Sequence, residues 1–72
     1  MADKSVHTYY ADGVWRNRII RGEELLEEFI TRAEAVLVGR DHARELGAEH
    51  VVYQQDGNIL NQTSYAGAMT TA

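Results

Sequence analysis

Neither cysteine nor proline occurs among the 72 residues. The first absence excludes a disulfide scaffold and any thiolate metal site, so packing, hydrogen bonds or a partner subunit must hold this small fold. No proline- or serine-rich break marks a second core, which leaves one domain over residues 1–67 with a frayed tail at 68–72. No run approaches the ~20 apolar residues of a bilayer-crossing helix, and Met1-Ala2-Asp3-Lys4-Ser5-Val6 lacks the apolar stretch of a signal peptide, so a cytoplasmic location is expected. Large apolar side chains are also scarce. Of the hydrophobic 44%, nine residues are Ala and only 17 are Val, Ile, Leu, Phe or Trp. That supplies one thin core and little room for an enclosed substrate cavity besides.

The net charge of −4 is unevenly spread. Residues 1–22 carry Lys4, Arg16, Arg18 and Arg21 against Asp3 and Asp12, a surplus of two positive charges. Residues 23–34 reverse this, with Glu23, Glu24, Glu27, Glu28 and Glu34 against Arg32 alone. Overall acidity disfavours sequence-independent nucleic-acid binding, which relies on many cations neutralising phosphates, but leaves room for a local basic face.

A helix is expected over 32–46. Thr31-Arg32-Ala33-Glu34 is a capping box, Ile30 and Ala35 occupy the positions of a hydrophobic staple, and Gly47 stands where a left-handed residue closes the helix. Ala35, Val36, Gly39, Ala43 and Leu46 recur at three- and four-residue steps as one apolar stripe. Gly39 costs about 1 kcal/mol relative to Ala inside a helix, which points to close approach of a sheet beneath; simple tolerance is the plain alternative.

On both sides of the helix the pattern is β. Residues 5–10 and 14–20, rich in β-branched and aromatic types, flank Ala11-Asp12-Gly13 and read as a hairpin. Residues 50–54 and 59–64 flank Gln55-Asp56-Gly57-Asn58, where Asp-Gly signals a two-residue turn. Which face of the second hairpin is buried stays open, because Val51 and Tyr53 point one way and Val52 the other. Residues 24–30 also admit two readings: Glu and Leu favour helix, whereas the cap at Thr31 demands a non-helical residue, and a short strand satisfies it. The expected fold is α+β, an antiparallel sheet of four or five short strands with one helix packed on a face, in the order ββ(β)αββ.

Several of these features occur together in one family. Trp15 on a strand, Thr31-x-Ala33-Glu34-Ala35, Gly39-Arg40, Ala43, Leu46-Gly47-Ala48-Glu49-His50-Val51-Val52, Asp56-Gly57-x-Ile59 and Ser64-Tyr65-x-Gly67 resemble the small prokaryotic family called domain of unknown function 2188, over roughly residues 6–67. The resemblance implies an α+β module of bacteria, archaea and their phages without an established activity or catalytic residues. It also implies a Gly turn at Gly22 and a strand over 24–30, although the glutamate run there departs from the family's usual small polar residues. One role in keeping with such a format is that of a phage or mobile-element inhibitor of a host protein.

Catalytic chemistry finds no foothold. His7, His42 and His50 lack second ligands at zinc or catalytic spacing, Ser5 and Ser64 stand outside any nucleophile elbow, and the glutamate run reads as a solvated face. No enzyme activity, cofactor, metal, membrane association or small-molecule substrate is expected. Two binding surfaces are candidates. Tyr9, Tyr10, Tyr53 and Tyr65 are four of the six aromatics and offer an interaction surface for a protein partner or a second copy in a homodimer; the plain alternative is that they cap strand edges. Arg16, Arg18 and Arg21 form a basic hairpin face for nucleic acid. Its plain alternative is that Trp15 plugs the core while Arg16 and Arg18 pair with glutamates of the next segment.

Overall fold

The computed structural model describes residues 4–66, and the tail expected at 68–72 lies outside them. The elements are β1 (Ser5–Ala11), β2 (Val14–Ile20), β3 (Glu28–Phe29), α1 (Arg32–Leu46), β4 (Glu49–Tyr53) and β5 (Ile59–Ser64). This is the expected α+β class, with five strands and one helix in the order βββαββ.

Local chemistry accounts for the connections. β1 and β2 pair antiparallel with Ala11 opposite Val14, so the loop is Asp12-Gly13 alone. Both residues have positive φ, 54° and 83°, the pattern of a type I′ turn, whose twist matches its flanking strands. The second hairpin differs from the expected two-residue turn. The Gly57 N–H donates to the Gln54 carbonyl at 2.9 Å and the Gln54 N–H to the Asn58 carbonyl at 2.7 Å, with Gly57 alone left-handed (φ 95°) in this loop. That is a three-residue loop closed by a glycine bulge. A further shift between Val52 and Tyr53 sets Ile59 opposite Tyr53 and Asn61 opposite Val52, so Leu60 is the extra residue.

The strand order is β3-β2-β1-β4-β5. The sheet is mixed rather than wholly antiparallel, because β1 and β4 run parallel. The helix is the reason. A helix laid across a sheet carries the chain back, so the strand after it runs in the direction of the strand before it; that strand, β3, is antiparallel to β2 and therefore aligned with β1. The strand suggested for 24–30 shrinks to Glu28–Phe29, and residues 23–27 are neither helix nor strand. Glutamates are poor strand formers, and the turn in which the Gly22 N–H donates to the Ile19 carbonyl (3.3 Å) leads this segment away from β2.

α1 begins and ends as its signals require. The Thr31 hydroxyl accepts from the Glu34 N–H (3.2 Å) and donates to the Glu34 carboxylate (3.1 Å), so the box closes through the hydroxyl. Gly47, at φ 63°, donates its N–H to the Ala43 and Arg44 carbonyls. The hydrophobic staple is not made: Ile30 is 80% exposed while Ala35 is buried. Ala35, Gly39 and Ala43 face the sheet, and such small residues let the helix lie close to it.

The covered face carries Val6 and Thr8 of β1, Trp15, Asn17 and Ile19 of β2, and His50 and Val52 of β4, all buried. Trp15 plugs one end. Tyr10 meets it edge-on at 5.2 Å and the Arg32 guanidinium lies 5.9 Å from its ring, contacts that contribute about 0.5–1.5 and 0.5–1 kcal/mol. Val51, pointing to the other face, is buried as well, between His7 and Gln62 on the neighbouring strands, so both valines of β4 are covered.

Candidate interaction surface

Beneath the helix, three polar side chains meet where a core would ordinarily be apolar. The Thr8 hydroxyl donates to Asn17 Oδ1 (2.5 Å), and the Asn17 amide donates to the Ala35 carbonyl of α1 (2.9 Å). Having given its single proton to Asn17, Thr8 accepts at 2.8 Å from His50 Nε2, which fixes the neutral ring as the Nε2–H tautomer. Burial first, then Arg40 and His7, push His50 below the ordinary histidine value of 6.5, in keeping with a neutral ring. The protons are handed across three strands of the sheet, from His50 to Thr8 to Asn17, and the last bond, from Asn17 to Ala35, ties the sheet to the helix. Gly39 completes it, since a Cβ there would strike Asn17 Oδ1, Thr8 Oγ1 and His50 Nε2. The network therefore positions α1 and leaves no accessible group for chemistry. Sequence reasoning identified the close approach at Gly39 but missed the triad, whose signal was three polar residues at inward-facing positions of adjacent strands.

The opposite face is open. By register it carries Ser5, His7 and Tyr9, then Arg16, Arg18 and Ile20, then Glu49, Val51 and Tyr53. His7 bonds to the Tyr53 hydroxyl through Nδ1 (2.8 Å) and to the Ser5 hydroxyl through Nε2 (3.0 Å), and its ring stacks on Tyr53 at 5.6 Å. Burial and the Arg18 charge opposite hold His7 below 6.5, with Glu49 acting the other way. A cleft of about 330 Å³ lies over His7, Tyr9, Arg18, Ile20 and Tyr53. Another of about 520 Å³ opens between β2 and the segment from Gly22 to Leu26.

The two sets of residues expected to act together are dispersed. Tyr9 and Tyr53 share the open face, but Tyr10 is turned to the helix side against Trp15, and Tyr65 packs against the cluster of Val6, Ile19 and Ala43. Among the arginines, Arg16 is engaged by Glu28 at 2.8 Å across β2 and β3, as the plain alternative anticipated. Arg18 is exposed opposite His7, and Arg21 sits in the turn after β2 with φ 63°. Asn17, between Arg16 and Arg18 in sequence, is buried in the triad.

A further surface, among the described residues, is the open edge at β5. All six of its residues are exposed. α1 packs on β1, β2, β3 and β4 and does not reach it. Ile59 and Leu60 are 55% and 46% exposed there. Among the described residues no three His, Asp or Glu side chains are grouped to hold a metal ion, and no helix is long and apolar enough to cross a membrane.

A model of one protein family, described as "uncharacterized protein conserved in bacteria (DUF2188)", matches residues 6–65, and the chain belongs to that family. The comparisons with curated proteins and with solved structures returned no match.

Proposed function

We propose that this member of the family is a non-catalytic protein-binding module that docks an extended segment of its partner along the β5 edge. The observation that carries this reading is the state of that edge. Sheets in soluble proteins guard their edges with charges, proline, short strands or a covering helix, because unpaired N–H and C=O groups recruit further strands. Among the described residues β5 has none of these: its sequence Ile59-Leu60-Asn61-Gln62-Thr63-Ser64 is uncharged, proline-free and uncovered, and its bulge at Leu60 leaves Asn61–Ser64 as a regular run. β3, at the other edge, is guarded by its two-residue length and by Glu28. Strand addition supplies affinity through main-chain bonds and specificity through alternate side chains.

The test compares three forms of the chain in affinity capture from the native host. Thr63→Lys places a charge on the edge and Arg18→Ala alters only the open face. Partners retained by the unaltered chain and by Arg18→Ala but lost with Thr63→Lys support the reading. Retention by Thr63→Lys together with loss on Arg18→Ala refutes it and moves the site to the open face.

Nucleic-acid binding through Arg16, Arg18 and Arg21 has less support, because Arg16 is neutralised by Glu28 and the surrounding charge is mixed. Retardation of short oligonucleotides at low salt, abolished by Arg18→Ala, would revive it.

A further inference from the structure

Resting on the reading that β5 is a docking edge, we infer that the strand it takes is β5 of a second copy of this chain, paired antiparallel about a two-fold axis at Gln62. Three observations lead there. First, β5 is uncharged, so antiparallel self-pairing sets no like charges opposite each other. Glu49 on β4, the carboxylate that reaches β5, is already bonded to the Gln62 amide at 2.8 Å. In the doubled sheet the two β4 backbones that carry Glu49 stand three strand spacings apart, about 14 Å, and each carboxylate is held by the Gln62 amide of its own copy.

Second, the hydrogen-bond phase of β5 restricts the pairing. Tyr65 N–H donates to the Ala48 carbonyl at 3.0 Å. Hydrogen-bonded positions alternate along an antiparallel ladder, so Thr63 and Asn61 direct their backbone groups at β4, while Gln62 and Ser64 direct theirs outward. Directly opposed residues must share a face of the sheet. Two copies of one strand therefore meet about a residue and not between two. Of the axes the phase allows, one at Gln62 is central to the regular stretch beyond the Leu60 bulge: it lets the two Gln62 backbones exchange both bonds and sets Asn61 opposite Thr63 of the other copy, with the bulge residue Leu60 reaching Ser64 at the margin. Amide meets amide and amide meets hydroxyl.

Third, the other edge cannot compete. β3 is two residues long and its Glu28 is tied to Arg16, so it offers no ladder for a six-residue strand. Head-to-tail joining of β5 to β3, which would grow a filament, is excluded, and the isologous contact closes a dimer. Its product is one continuous sheet with both helices on the same face.

The experiment uses sedimentation velocity of the full chain from micromolar to several hundred micromolar, with far-UV circular dichroism to verify the fold of each variant. The unaltered chain is expected to shift from monomer to dimer and Thr63→Lys to stay monomeric. The chain has no cysteine, so a single introduced thiol reports geometry without interference. Under mild oxidation Gln62→Cys should cross-link as a dimer, because directly opposed Cα atoms lie within the roughly 4.4–6.8 Å that a disulfide spans. Asn61→Cys, diagonal to its own copy, should cross-link far more slowly. A monomer at every concentration, with partner capture still abolished by Thr63→Lys, overturns the second-copy inference and leaves the edge reading standing. A dimer indifferent to Thr63→Lys overturns both. Cross-linking through position 61 in preference to 62 overturns the pairing.

Discussion

Replacing Gly39 by alanine sets two physical effects against each other, and their magnitudes decide the outcome. In an exposed helix interior, Gly→Ala stabilises by about 1 kcal/mol. Here the new methyl would press on Asn17 Oδ1, on Thr8 Oγ1 at 2.7 Å and on His50 Nε2 at 2.9 Å. None of these is the free end of a long side chain; all three are short, buried and bonded to one another. Relief requires lifting α1 off the sheet or breaking bonds in a dry site. Overpacking costs about 1–3 kcal/mol, and each buried group left unsatisfied costs about 1–3 kcal/mol more. Even with one such group lost, the penalty exceeds the helix gain, for a net destabilisation of about 3 kcal/mol. In a domain of this size that lowers the Tm by about 12–24 °C. Thermal unfolding followed by circular dichroism measures it, with Ala33→Gly on the exposed side of α1 calibrating the propensity term. A Tm that rises with Gly39→Ala would mean that the helix does not approach the triad as described, and would refute the packing argument.

Two further perturbations follow from the same geometry. His7 and His50 are both held below 6.5, so between their folded values and 6.5 the unfolded chain binds more protons than the native one. Stability is therefore full above about pH 7 and is lost as the pH falls through the folded values; a urea midpoint no lower at pH 5 than at pH 7.5 would contradict this, and His7→Gln should remove its share of the slope. Glu28→Gln breaks the bond to Arg16, whose partners' side chains are 29% and 52% exposed, so the expected loss is at most about 1 kcal/mol and should shrink in high salt. A loss above about 2 kcal/mol by chemical denaturation would show that β3 depends on this pair far more than a solvent-screened contact allows.

Local signals in this sequence translated directly into structure. The Thr31 cap and Gly47 bound α1 at the expected residues, because capping depends on the few residues at each end. The Asp12-Gly13 hairpin likewise follows from two residues that tolerate positive φ. The parallel pairing of β1 with β4 was not legible, since it arises from how the helix returns the chain and joins strands more than forty residues apart. Alternation of residues along β1 already separated Tyr9 from Tyr10, so treating the tyrosines as one surface gave composition more weight than periodicity. The exposed state of β5 was hidden for a different reason: which face of that hairpin is buried depends on its loop register, and the bulge together with the short reach of α1 leaves Ile59 and Leu60 uncovered.

That short reach connects the core to the proposed interaction. A helix whose inward residues are Ala35, Gly39 and Ala43 buries little apolar surface, and the largest side chains buried completely are only Val6 and Thr8. The triad at the centre specifies how α1 sits, but bonds exchanged for bonds to water add only about 0.5–1.5 kcal/mol each. Positioning is thus obtained from polar contacts while large apolar side chains stay exposed, Ile59 and Leu60 at the β5 rim among them, with Leu26, Ile30 and Leu37 elsewhere. Burying an aliphatic side chain fully contributes about 1.5–3 kcal/mol, which is a large fraction of the stability available to a domain of this size. A strand laid along β5 covers part of that surface and satisfies the outward backbone groups of Gln62 and Ser64 together. The β5 edge is therefore a place where a second chain adds apolar cover and backbone hydrogen bonds in one step.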